Sequence, residues 1–297
     1  DDSIILGPDE AEIDSLIEKM KGTGLDLTVE GKLEDFLGVN IKELKGEHGP
    51  EFHLTQPRLI DSILEDLRLD GEKVKMQDIP MASSKLLGRH KDSPDFDGHF
   101  NYRRVIGKLK FLEQSTRGDI SYATHMCARF STCPKLEHGK AVKWIGRYLK
   151  KTRKRGFIIR PDPSRGMEVH PDSDFAGAWD PAGAGEDVDT AQSRHGFIVS
   201  YCGVPLFWKS QMQTEIVLSS TESEFIALAT ATRAAIPIQR ILMEMKERGF
   251  LVVVDKNEIH CSVFEDNSGA LAIAKLPKTR PRTKHINVKY FHWLSWV

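Results

Sequence analysis

Apolar residues along the chain recur in some segments with the period of a helix and in others with the period of a strand. These two periods divide the first hundred residues into predicted helices, strands and a linker. At residues 9–22 and 56–69, Leu and Ile recur three or four positions apart, which predicts two amphipathic helices. Residues 70–99 are polar and contain several Pro, Ser and Gly residues, which predicts a linker. Short strands with alternating apolar residues are predicted at 25–29, 35–41 and 52–54.

The rest of the chain changes from helices to strands and then to helices again. Helical spacing predicts three consecutive helices at 102–112, 120–130 and 136–149. Alternation predicts strands at 157–160, 167–170, 195–201, 205–209 and 258–264. A long helix is predicted at 221–247, which Pro237 should kink or split. Further helices are predicted at 267–275 and 284–296. This order predicts a mixed α/β domain in the second half.

Composition places the 297-residue chain among globular proteins. Hydrophobic residues make up 40% and charged residues 29%, and no stretch approaches the ~20 apolar residues that a membrane helix needs. The four cysteines lack C-x-x-C spacing, which favours reduced thiols in an intracellular protein over a zinc site. Because the sequence starts at Asp1-Asp2 without a Met, we expect it to be a segment of a longer protein.

The net charge of −1 conceals an uneven distribution of charge. Residues 1–70 contain 18 acidic and 7 basic residues, whereas residues 135–155 contain nine basic residues and one acidic residue. Residues 274–290 contain six basic residues and no acidic residue. Such asymmetry is typical of nucleic-acid-binding proteins, so the helix within 135–155 is expected to follow phosphates, with an ordinary solvated helix face as the alternative.

Three acidic residues stand where predicted strands end or a helix begins. Asp172 and Asp266 follow strands, and Glu224 lies in the first turn of the long helix. Carboxylates at such positions can converge at one edge of an α/β sheet and bind Mg²⁺. Each acid alone is also explained by ordinary turn or helix-cap preferences, so spacing leaves both interpretations open.

The sequence around these acids resembles the RNase H domain of copia-type retrotransposon Pol polyproteins. V-L-S-S-T-E-S-E-F-I-A-L at 217–228 is similar to the signature helix of that domain. D-S-D-F-A-G at 172–177 resembles its S-D-A-D-W-A-G, and E-D-N-S-G-A at 265–270 resembles its C-D-N-Q-S-A. The remaining strings are G-F-I-V-S-Y-C-G-V-P-L-F-W-K-S-Q at 196–211 and R-T-K-H-I-N-V-K-Y at 282–290.

The resemblance extends upstream into the reverse transcriptase of the same family. F-L-G at 36–38 and H-L-T-Q-P-R-L-I-D-S-I-L at 53–64 are similar to its palm-to-thumb region. Y-R-R-V-I-G-K-L-K-F-L at 102–112, followed by T-R-G-D-I, is similar to its connection. Asp1 and Asp2 resemble the end of the Y-x-D-D polymerase motif. With the rest of the polymerase site missing, the chain alone is not expected to synthesise DNA.

The resemblance implies an α/β (α+β) fold in three parts. Residues 1–85 would form the end of the palm and the thumb of a partial reverse transcriptase. Residues 86–155 would form a linker and a helical connection. Residues 156–297 would form an RNase H-like domain with a mixed five-stranded sheet and flanking helices.

The implied activity is hydrolysis of the RNA strand of an RNA–DNA hybrid by two Mg²⁺ ions, with Mn²⁺ as a substitute. The family's catalytic, metal-binding acids map onto Asp172, Glu224 and Asp266. Asp174 and Glu222 are secondary alternatives to two of these, and His285 is a further candidate. Asn287 replaces a family Asp, which predicts weaker binding of the second ion and favours the alternative of an inactive, hybrid-binding remnant.

The resemblance also implies partners and a location. The partners would be the RNA–DNA hybrid and the preceding reverse transcriptase segment, with no membrane involved. Virus-like particles in the cytoplasm, with nuclear entry, would be the location. The candidate nucleic-acid contacts are Phe36, Leu37, Gly38, Ser193, Arg194, Lys209 and Gln211.

Overall fold

A computed structural model describes residues 3–30, 33–47, 49–82, 87–89, 92–181, 187–252 and 259–275. Within these ranges the chain forms two four-stranded sheets and seven α-helices, a mixed arrangement compatible with an α+β fold. The helix predicted at 284–296 lies outside the described residues.

The first sheet consists of antiparallel strands in the order β1-β2-β3-β4. A tight turn at Leu37 and Gly38, both with positive φ, separates β1 from β2, so the single strand predicted at 35–41 is a hairpin. The strand predicted at 25–29 is wrong, because this largely exposed segment is not a strand and pairs with no neighbour among the described residues. The strands are β1 (Asp35–Phe36), β2 (Val39–Lys45), β3 (Pro50–Thr55) and β4 (Phe157–Ile159).

The last strand of this sheet comes from far along the chain. β4 pairs with β3 and not with the strands that follow it in sequence. The RNase H-like part is expected to begin at residue 156, but β4 at 157–159 still belongs to the first sheet. A prediction from local pattern identifies a strand but not its distant partner.

Five helices belong to the first part of the chain, and four of them surround the first hydrophobic core. Apolar residues from four of them, α2 to α5, pack together and are almost completely buried. α1 buries none of its residues. The helices are α1 (Glu10–Gly22), α2 (Pro57–Asp66), α3 (Tyr102–Ser115), α4 (Ser121–Ala128) and α5 (Leu136–Lys151).

The second sheet has the order β7-β6-β5-β8. Its first three strands in sequence, β5 to β7, are antiparallel neighbours, and β8 adds parallel to β5. Four strands are present among the described residues, where five were expected. The strands are β5 (Met167–Asp174), β6 (Arg194–Tyr201), β7 (Val204–Met212) and β8 (Cys261–Val263).

Two helices complete this half, α6 (Ser220–Glu247) and α7 (Ser268–Ala274). α6 packs on β5 and β6 and continues past Pro237, so the predicted split is wrong. Burial of Phe225 before the proline and Leu242 after it holds both halves of the helix to the core. By length and composition α6 also meets the criteria for a membrane span, but half of that stretch is buried within the protein.

Candidate active site

The carboxyl ends of two strands and the start of one helix meet at one edge of the second sheet. Asp172 lies near the carboxyl end of β5, Glu265 and Asp266 follow the carboxyl end of β8, and Glu224 lies in the second turn of α6. Because β5 and β8 are parallel neighbours, their carboxyl ends lie at the same edge. α6 packs against β5 and brings Glu224 to that edge.

The start of α6 distinguishes between its two glutamates. The Glu222 backbone N–H donates to Ser219 Oγ at 3.1 Å, and Glu222 Oε2 accepts from the Leu218 backbone N–H at 3.0 Å. Glu222 is therefore part of the helix N-terminus, where it accepts from the residue that precedes the N-cap Ser219. Glu224, two residues later, turns towards the sheet and is only 8% exposed.

Glu224 belongs to a tight group of carboxylates. Ligand oxygens of Glu224, Glu265 and Asp266 all lie within 4.8 Å of one another. Glu224 Oε2 is buried and has no hydrogen-bond partner. Burial raises the pKa of Glu224, and the nearby negative charges of Asp172 and Asp266 raise it further. Hydrogen bonding from Ser173 lowers the pKa but does not outweigh these effects.

Glu265 is a site residue that the sequence reasoning missed. Its Oε1 accepts from the Asn267 backbone N–H at 3.0 Å, while its Oε2 is buried without a partner. Burial is the main cause that raises the pKa of Glu265 to about 7, with contributions from the three neighbouring acids. The available signal was the E-D-N string, which has Glu where the resembling family string has Cys.

The geometry of this group fits a divalent cation. Mg²⁺ binds oxygen at about 2.0–2.1 Å, so two of its ligand atoms lie at most about 4.2 Å apart. The observed separations of up to 4.8 Å require only small side-chain rotations. Unpartnered, buried carboxylate oxygens are the hard ligands that Mg²⁺ and Mn²⁺ prefer.

Asp172 and Asp174 occupy more open positions. Asp172 is exposed and is not part of the 4.8 Å group, but its charge acts on both Glu224 and Glu265. The Asp174 carboxylate lies against Gly177, where an added Cβ would come within 2.0 Å of Oδ1. Four other candidates lie outside the described residues: Asp1, Asp2, His285 and Asn287.

Two of the residues predicted to contact nucleic acid make contacts with other parts of the protein. Ser193 is 0% exposed and accepts from the Ala176 backbone N–H at 3.1 Å, so burial removes it from the accessible surface. The Arg194 guanidinium lies 4.7 Å from the centre of the Tyr122 ring and donates to Ser210 Oγ at 3.3 Å. Both side chains therefore hold elements together.

The remaining predicted contacts are more accessible. Lys209 is exposed on β7, and the neighbouring Gln211 contacts His195 Nε2 at 3.1 Å. Leu37 is 56% exposed at the β1–β2 turn, between Phe36 and Gly38. The exposure of Lys209 and Leu37 is compatible with contact with nucleic acid.

The basic helix α5 and the residues after it make many internal ion pairs. Arg153 pairs with Asp61, Lys151 with Asp78, and Lys140 with Glu137. Lys150 donates to the backbone carbonyls of residues 69–71. Acidic residues elsewhere in the chain therefore neutralise part of the charge expected to follow phosphates.

Comparison with known proteins places the chain in a class. It is 28% identical to the retrovirus-related Pol polyprotein from transposon TNT 1-94 of Nicotiana tabacum, over 99% of the chain and 21% of the relative. It is 29% identical to that from transposon RE1 of Arabidopsis thaliana, over 98% of the chain and 18% of the relative. With transposon RE2 of the same plant the identity is 30%, over 87% of the chain and 16% of the relative.

These matches extend over nearly the whole chain, which belongs to the retrovirus-related Pol polyproteins of copia-type transposons. This confirms the resemblance seen in the sequence. The chain spans about a fifth of the length of these curated relatives. No protein-family profile matches it. No solved structure matches it either.

Proposed function

We propose that the C-terminal half of this chain hydrolyses the RNA strand of RNA–DNA hybrids as the RNase H part of a Pol polyprotein. The observation that carries the proposal is the convergence of Glu224, Asp266 and Asp172 at one edge of the second sheet. The sheet order β7-β6-β5-β8, with three antiparallel strands and one parallel strand, is compatible with the RNase H-like fold that the sequence implies.

Each acid has a defined part in this proposal. Asp172, Glu224 and Asp266 would hold two Mg²⁺ ions, or Mn²⁺ in their place. When bound, such ions activate water and stabilise the leaving oxygen in phosphodiester hydrolysis. Glu224 is fixed by the rigid start of α6 and shielded from solvent, so its carboxylate is held in place before substrate arrives.

The substrate would be recognised mainly through its backbone. Lys209 is exposed and provides a charge for phosphates, and Gln211 lies two residues further along β7. Selection of RNA over DNA would depend on contacts with the 2′-hydroxyl groups. Binding would weaken as salt increases, because neutralised phosphates release counterions.

Incubation of the full chain with end-labelled RNA–DNA hybrid and Mg²⁺ tests the proposal. We expect internal cleavage of the RNA strand, no cleavage of a DNA duplex, and loss of cleavage in EDTA. D266N should lower the rate by at least about 100-fold, because it removes a charged metal ligand. E244Q, which changes an exposed acid far along α6, is the matched control and should cut normally.

The alternative of an inactive binding module gives a different result. Asn287, where the family string has Asp, is the observation that favours it. In that case the hybrid would be retarded in a gel by both the unsubstituted chain and D266N but would remain intact. Absence of cleavage with both Mg²⁺ and Mn²⁺ would contradict the nuclease proposal.

A further inference from the structure

We propose that Glu265 is an additional carboxylate ligand of the cation site and binds a divalent cation together with Glu224 and Asp266. This inference rests on the proposed cation site of the nuclease and adds a ligand that the sequence motifs do not assign. The three residues come from two separate elements, the start of α6 and the segment between β8 and α7. Their ligand oxygens are within 4.8 Å of one another.

The two oxygens of Glu265 have different environments. Oε1 accepts from the Asn267 backbone N–H at 3.0 Å, which fixes the orientation of the carboxylate. Asn267 in turn caps α7, because its Oδ1 accepts from the Ala270 backbone N–H at 2.9 Å. Oε2 is buried and makes no hydrogen bond. The capping turn therefore presents one free carboxylate oxygen in a fixed position.

Glu224 provides the independent evidence that this group is suited to bind a cation. It is 8% exposed, and its Oε2 is also buried without a partner. Among the residues that the structure describes, no Lys, Arg or His forms an ion pair with Glu224, Glu265 or Asp266. A buried carboxylate without a positive partner is strongly unfavourable, and a bound cation would offset that cost.

The alternative is that Glu265 only stabilises the turn before α7. Its hydrogen bond with the Asn267 N–H would then be its whole role. A glutamine accepts the same hydrogen bond with the same side-chain shape, but it carries no charge. E265Q therefore separates the two roles, because a purely structural contribution survives it and cation binding does not.

Titration of the full chain with MnCl₂ in a calorimeter, without nucleic acid, tests the inference. We expect E265Q to raise the Kd for Mn²⁺ at least about tenfold, which is the usual scale for disturbing a metal site. E244Q should bind like the unsubstituted chain, and E224Q should bind more weakly. Without cations, E265Q should melt at the same temperature or higher, because it removes a negative charge from a group of acids.

Two results would overturn the inference. One is an E265Q variant that binds Mn²⁺ as tightly as the unsubstituted chain, and the other is an unsubstituted chain that binds no Mn²⁺ at millimolar concentration. The cleavage assay separates this inference from the proposed function. A chain that cuts hybrid while E265Q keeps full Mn²⁺ affinity refutes only the role of Glu265. A chain that cuts nothing, but loses Mn²⁺ affinity in E265Q, refutes only the nuclease.

Discussion

The two halves of the molecule differ in whether a buried charged side chain has a partner of opposite charge. In the helical half, Arg117 is 1% exposed and donates from Nε and Nη2 to the two Asp119 oxygens, each at 2.9 Å. Arg117 also donates to Thr152 Oγ1 at 2.7 Å, and Asp119 accepts from the Tyr148 hydroxyl at 2.6 Å. At the sheet edge, the buried Glu224 has acids for neighbours and a free oxygen.

The difference separates a charge with structural partners from one for which we propose a function. Burial acts to raise the pKa of Asp119, but hydrogen bonds from Arg117 and Tyr148 outweigh it and hold that pKa below its usual value. At the sheet edge burial and like charges act together, and the pKa of Glu224 is raised. A strongly perturbed, unpaired acid in such a place is typical of a functional site.

The largest effect is expected from breaking the satisfied charge pair. R117M would remove the buried guanidinium together with its hydrogen bonds to Asp119 and Thr152, so the free energy of unfolding should fall by about 3–5 kcal/mol. Urea unfolding followed by circular dichroism measures this change. The matched control is R248M, because Arg248 forms an exposed pair with Glu244 at 3.7 Å and should contribute no more than about 0.5 kcal/mol. Equal losses in the two variants would refute the structural role of Arg117.

A second prediction concerns acid stability and the contribution of one buried histidine of the second sheet. Burial lowers the pKa of His195 from 6.5 to about 4, with further lowering by Lys209, Arg194 and Arg233. Below pH 6.5 the unfolded chain therefore binds a proton at His195 that the native state does not bind, and the contribution of His195 to stability falls by about 2.5 kcal/mol between pH 6.5 and 4. The raised pKa of Glu265 acts in the opposite direction, because its native carboxyl gains a proton first, so the comparison with a variant at His195 is what isolates the histidine. The Arg117–Asp119 pair stays charged through most of this window.

Urea unfolding of the full chain and of H195Q at several pH values between 7 and 4.5 measures this effect. H195Q should lose less stability on acidification, because glutamine does not titrate. Parallel pH dependence in the two proteins would show that His195 is not the group responsible.

The smallest effects are expected at two basic residues of the second sheet. Arg194 on β6 packs against other side chains, whereas Lys209 on β7 is exposed. R194M removes the contacts with Tyr122 and Ser210, so we expect a loss of about 1–2 kcal/mol in stability. K209A should leave stability unchanged and weaken hybrid binding at low salt by a few-fold. Gel retardation and urea unfolding of both variants check this. The assignment fails if R194M weakens binding while keeping full stability.

Local pattern predicts most helices and strands of this chain because its apolar periodicity is strong. The apolar faces of α2, α3 and α5 coincide with buried residues of the first core. The pattern at 25–29 misleads because, within the part of the chain that the structure describes, no strand pairs with it. The pairing of β4 with β3 joins segments about a hundred residues apart. Such pairings depend on tertiary structure and not on local sequence.

The site was only partly predictable for the same reason. The motif around Glu224 indicates the residue that faces the sheet, whereas Glu265 matches no acidic position of the resembling family string, which has Cys there. Ser193 and Arg194 are candidate nucleic-acid contacts by sequence, yet both make contacts within the protein. Burial of a polar side chain is set by what packs against it, which one sequence does not specify.

The most direct test of the cation site is the melting temperature of the full chain and of E224Q, each in EDTA and in excess MgCl₂ or MnCl₂. A cation at ten times its Kd stabilises the native state by about 1.4 kcal/mol, which corresponds to roughly 3 °C. We predict that the unsubstituted chain gains this stability, whereas E224Q starts higher in EDTA and gains little. An unsubstituted chain whose melting temperature does not respond to either cation would contradict the account.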